Sequence, residues 1–180
     1  MFSSIAYTEG LGGSVLAALC LCALCLVPVH ARSESSVEPF AVNHHEVKAG
    51  EVAAAIDRAA SGAARRLSRE SCSRVLSDFA DRGGRPLREV MVSMGLAPTD
   101  ALSRIIFRDG SDAAACQARA LAAFTGPGSR VVFVCGKRFQ TFPSDVAERV
   151  VIHELLHTLG LAEGPPTPAA IDRAVERRCG

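Results

Sequence analysis

A chain of 180 residues with 20 basic and 19 acidic side chains carries a formal net charge of +1. Its arginines are spread among acids, as in Arg65-Arg66 and Glu70, so there is neither the basic face that a nucleic acid requires nor the cation stripe that an anionic membrane attracts. The length suits one domain with a continuous core.

The first feature in chain order is an apolar run, VLAALCLCALCLVPV, at residues 15–29. It is shorter than the roughly 20 residues of a bilayer-spanning helix. It leads into Val29-His30-Ala31, where small residues occupy the positions that a signal peptidase reads. Residues 1–31 are therefore expected to be a signal peptide cleaved after Ala31. The stretch before the run holds Glu9 but no Lys or Arg, so a retained membrane anchor is the competing reading, and membrane contact is expected only in that case. Cys20, Cys22 and Cys25 lack the Leu-small-small triplet of a lipid attachment site. Removal of residues 1–31 leaves 149 residues with 20 basic and 18 acidic side chains, a balance of +2.

Four of the seven cysteines then remain, Cys72, Cys116, Cys135 and Cys179. An even number in an exported chain implies two disulfides and a secreted or periplasmic location. Three pairings are possible; Cys116 with Cys135 and Cys72 with Cys179 is favoured because the first two bracket an apparent hairpin. No C-x-x-C spacing points to a cysteine-ligated metal.

Residues 32–45 mix Ser, Glu, Pro and Asn without periodicity and read as a flexible lead-in to a domain spanning 46–180. From Glu46 to about Arg69, apolar residues recur at helical spacing, predicting one long amphipathic helix with Gly62 as its weak point. Shorter helices are expected over Ser73 to Asp81, stopping at Gly83-Gly84, and over residues 86–95. Strands are expected at Leu102 to Phe107 and Arg130 to Cys135, with a third from Ala118 to Phe124 as the first arm of a hairpin across Thr125-Gly126-Pro127-Gly128. The pattern is that of an α+β domain with a small sheet, a long N-terminal helix and a second, buried helix.

That buried helix is expected over 145–159, with Ser144 as N-cap, Asp145 in the first turn and Gly160 at its end. Its apolar residues fall on nearly every face, so ionisable groups within it need a reason. His153 and His157, four apart, lie one turn above each other and can place two imidazole nitrogens about 2.0–2.1 Å from one zinc ion. Glu154, the next residue round, can act as base on a water in an open coordination position. With 5 His and 11 Glu in the chain, H-E-x-x-H arises by chance roughly 0.008 times.

A third protein ligand is needed, and Glu163 is the first candidate. The run HELLHTLGLAE resembles the metzincin group of zinc peptidases, whose motif H-E-x-x-H-x-x-G-x-x-H turns at the glycine and returns its third ligand to the metal. Here Gly160 takes the glycine place and Glu163 that of the last histidine. The resemblance covers roughly residues 145–164, and the metzincin methionine turn has no counterpart, since the methionines after the initiator are Met91 and Met94. A gluzincin arrangement, with the third ligand a glutamate on the following helix, would use Glu176 instead; His44 and His45 are the other candidates.

The resemblance implies a zincin-like domain that holds Zn2+ and hydrolyses peptide or protein substrates, as an endopeptidase rather than an exopeptidase, with Glu154 as general base. The strand Arg130 to Cys135 is expected to present the edge along which an extended substrate lies. Tyr7 is the single tyrosine and Trp is absent, so oxyanion stabilisation would fall to zinc, a backbone N–H, an Arg, or His44 or His45. Two other classes stand beside this one: a non-catalytic zinc-binding domain, which would have no use for Glu154, and a disulfide-stabilised secreted interaction domain with incidental histidines.

Overall fold

Ile56, Ala59, Ala60, Ala63 and Leu67 fall on one stripe of a 3.6-residue repeat, and burying that stripe makes helix α1, Glu51–Leu67. In the computed structural model, which describes residues 43, 44, 47, 50–118 and 121–180, α1 starts later than Glu46 because Gly50, at φ +131°, stands in a conformation no helix continues. These residues fall within one unit, Glu38–Gly180. The expected signal segment 1–31 lies outside the described residues, as does most of the lead-in.

The last part of that lead-in is not loose chain: Asn43–His44 form strand β1. The helix expected over Ser73 to Asp81 is two single turns, α2 (Glu70–Ser73) and α3 (Val75–Asp78). It stops at Phe79 because that residue is extended, its carbonyl accepting from the Leu87 N–H, while Ala80 bridges to Pro86. α4 follows at Leu87–Ser93.

The stretch Leu102 to Phe107 is corrected in its first half. Pro98 opens α5, Pro98–Ser103, and Asp100 sits in its first turn with its carboxylate accepting from the Ala97 N–H at 3.4 Å. Strand β2 therefore begins only at Ile106 and runs to Asp109. The strand expected from Ala118 to Phe124 is corrected to its last two residues, β3, Ala123–Phe124, because Ala118 instead ends a helix, α6, Ala114–Ala118, in keeping with alanine's helix propensity. β4, Val131–Val134, leads into α7, Gly136–Gln140, then α8, Ser144–Thr158, and α9, Pro168–Cys179.

The sheet order is β1-β2-β4-β3, with β1, β2 and β4 parallel and β3 antiparallel to β4. β4 is thus an interior strand, which corrects the expectation that Arg130 to Cys135 offers a free edge. Val132 and Val134 are wholly buried on one face, and Phe133 stacks on Phe124 on the other with ring centroids 5.1 Å apart. Among the described residues the terminal strands are β1 and β3. The architecture is α+β, and no helix among the described residues is long and apolar enough to cross a membrane.

α8 packs along α1, with Ile152, Leu155 and Leu156 fully buried and no residue from Val146 to Thr158 exposed. Gly62 is a point of contact rather than of weakness: a Cβ there would overlap the side chain of Glu148, which pairs with Arg66 one turn on. Disulfides join Cys72 to Cys179 and Cys116 to Cys135, the favoured pairing. Loop closure over separations of 107 and 19 residues corresponds to about 4.7 and about 3 kcal/mol of restricted unfolded chain. Two such bonds in a domain of this size are compatible with an extracellular protein.

Candidate metal centre

Pro143, not Ser144, occupies the N-cap of α8, and no side chain caps the helix there. The C-terminal end matches the local expectation more closely. Leu159 ends the helix, Gly160 takes φ +109°, and the Leu161 N–H returns to the Leu156 carbonyl at 3.1 Å. This is the bond pattern of a glycine-terminated helix whose chain turns back on itself. Two groups come back with it: the Leu161 carbonyl, 2.8 Å from Nδ1 of His157, and Glu163 Oε1, 3.5 Å from Nε2 of the same ring.

The hydrogen bonds decide which nitrogens are free. A carbonyl only accepts, so Nδ1 of His157 carries the proton and its Nε2 presents a lone pair. Nδ1 of His153 lies 2.7 Å from Asp172 Oδ1, which places a proton there too. The two Nε2 atoms face each other at 3.0 Å. Two bare acceptors at that distance require a proton or a cation between them. A tetrahedral zinc bound at 2.0–2.1 Å to each would set them about 3.3 Å apart, close to the observed spacing.

Burial sets the electrostatics. His157 is 3 % exposed, and burial holds its pKa below the usual histidine value, against the pull of the Leu161 carbonyl. Burial acts downward on His153 as well, but the hydrogen bond to Asp172 and the surrounding carboxylates outweigh it, and the net shift is upward. Glu154 is 6 % exposed; burial raises its carboxyl to about 7, opposed by His153, and its Oε2 has no hydrogen-bond partner among the described residues. A carboxylate poised near neutrality with a free buried oxygen is suited to take a proton from a water placed beside it.

His153, His157 and Glu163 bring ligand atoms within 4.8 Å of one another, and they form the metal-competent group found among the described residues. Glu176 stands on the exposed side of α9, lines the same cleft and is not part of that group. The side chains of His44 and His45 lie outside what the structure describes. Asp172 is the residue that sequence reasoning missed. Its signal was available, since it follows the buried Ile171 one turn before Glu176, but only the packing of α9 on α8 aims it at His153.

The donor set fits zinc chemically: two neutral imidazoles and one carboxylate, with the outer nitrogens tied to a carboxylate and a carbonyl as in known zinc sites. The group opens into a cleft of about 770 Å³. Its walls are the β3 segment, Val146 and Val150 of α8, Val175 of α9, and Arg82 from the loop after α3. No protein-family model, curated protein or solved structure matches this chain. The functional reading therefore rests on the site alone.

Proposed function

We propose that the chain is a zinc-dependent peptidase of zincin type, in which His153, His157 and Glu163 hold Zn2+ and Glu154 is the general base. The observation that carries this reading is the pair of Nε2 atoms that face each other 3.0 Å apart, close to the spacing of two ligands on one zinc ion, with Glu154 and its unpartnered oxygen in the same cleft. Zinc, when bound, would act as a Lewis acid and bring the pKa of a coordinated water toward about 7. Asp172 and the Leu161 carbonyl hold the two imidazoles in the tautomer that keeps both Nε2 atoms available. Glu154 takes the proton of the attacking water and passes it to the departing amine.

The terminal strand β3 faces the cleft, and an extended peptide laid beside Ala123 and Phe124 would add a strand to the sheet and bring its carbonyl toward Glu154. Such binding along a chain favours an endopeptidase acting on peptide or protein substrates, and the two disulfides favour a secreted or periplasmic setting.

A zinc-binding domain without turnover is the second reading. Glu154 speaks against it, because a purely structural site gains nothing from a buried carboxylate with an unpaired oxygen. The deciding experiment compares wild type with Glu154→Gln for zinc content and for cleavage of an unfolded protein substrate. Equal zinc, with cleavage in wild type alone, is expected; zinc-loaded wild type that cleaves nothing would leave the non-catalytic reading.

A further inference from the structure

We propose that Arg82 receives a carboxylate of the substrate at the mouth of the cleft, an inference that rests on the peptidase reading for the nature of the ligand. Most of the charges around the cleft are already engaged. Arg149 is held by Asp145 at 2.8 Å, Asp172 by His153, and Glu163 belongs to the metal group. Arg82 lines the same cleft, is exposed, and has no hydrogen bond or ion pair among the described residues.

Its backbone, in contrast, is firmly braced. Asp81 accepts from the Gly83 and Arg85 N–H groups at 2.8 and 2.9 Å and pairs with the Arg85 side chain at 3.0 Å. The Asp81 N–H donates to the Arg85 carbonyl, and the Gly84 N–H to that of Asp81. The turn also rests on the site itself: a Cβ added at Gly160, where the chain reverses toward Glu163, would lie 3.1 Å from the Asp81 Cβ.

A short turn with this many internal bonds fixes the point from which the guanidinium projects, so little backbone freedom is lost when an anion binds. A guanidinium offers parallel N–H donors that match a carboxylate, and it stays charged at any working pH. Glu176 also lines the cleft and is exposed, but it stands on a helix face without such bracing, and its charge would repel a carboxylate.

A substrate carboxylate has two sources, an acidic side chain or the free C-terminus of the peptide. The test uses the full chain carrying Glu154→Gln, incubated with zinc, and one neutral decapeptide in three forms: amidated, with a free C-terminal carboxylate, and amidated with a single Glu moved through each position. Fluorescence anisotropy gives the affinities. One carboxylate-bearing form should bind about tenfold more tightly than the neutral amide, and which form does so identifies the source. Arg82→Ala should bring the affinities together, Arg82→Lys should retain part of the difference, and Glu176→Ala should keep it. Equal affinities in the parent, or a preference that survives Arg82→Ala, would overturn the proposal. Should wild type with zinc cleave none of these peptides nor any unfolded protein while the Arg82-dependent preference holds, the peptidase reading falls and the anion site stands.

Discussion

α8 divides at His153 into a first half, Ser144 to Ile152, and a second half, His153 to Thr158, that bury their side chains for opposite reasons. In the first half Ala147, Val151 and Ile152 are buried against neighbouring elements, and each apolar group removed from water contributes to cohesion. In the second half Glu154 and His157 are buried beside the wholly buried leucines between them, although placing an ionisable group there costs free energy unless it is paired. His157 is paired through Leu161, while one oxygen of Glu154 is not. The first half holds the helix in place, and the second half uses that fixed position to keep polar atoms in an arrangement that packing alone would not select.

Substitutions should separate the halves by both size and sign. Ile152→Ala, at a wholly buried position, should destabilise the chain by about 2–5 kcal/mol with or without zinc, read from denaturant unfolding. A loss that appears only in the zinc-loaded protein would show that the first half is not the mechanical support. Asp172→Ala should weaken zinc binding about 10–100-fold, since His153 loses the partner that fixes its ring, with little change in the stability of metal-free protein. Competition with a chromophoric chelator measures this, and unchanged affinity would remove Asp172 from the site. The smallest effect carries the most informative sign: Glu154→Leu should stabilise the metal-free chain by about 1 kcal/mol, because it removes a buried unpaired oxygen, while abolishing any hydrolysis. Destabilisation would mean that Glu154 has a structural partner after all.

The same contrast explains what the sequence made legible. Hydrophobic periodicity and a glycine stop identified α8 to within a residue at each end, and the spacing of His153 and His157 placed both rings on one face. Gly160 was readable because a helix reversal needs a positive φ, which L side chains rarely adopt. Local chemistry was harder to read where two elements meet within a few residues. Pro98 and Asp100 began a helix inside an apolar stretch that also carried strand propensity, so Leu102 and Ser103 were assigned to the wrong element. The edge of the sheet was not legible, because Arg130 to Cys135 and Ala123–Phe124 differ in which neighbour they lack, a property of topology rather than of either segment. Asp172 was hidden for the same reason, since its partner lies 19 residues away and is reached only by docking α9 on α8.

The central claim is that the chain reversal at Gly160, and not the following helix, completes the metal site. Zinc content and affinity measured on wild type, Glu163→Ala and Glu176→Ala test it most directly. The account predicts about one zinc per chain in wild type, a strong loss of affinity in Glu163→Ala, and near wild-type binding in Glu176→Ala, with that last change altering stability by less than about 0.5 kcal/mol. Loss of zinc in Glu176→Ala with retention in Glu163→Ala would contradict it and move the third ligand to α9.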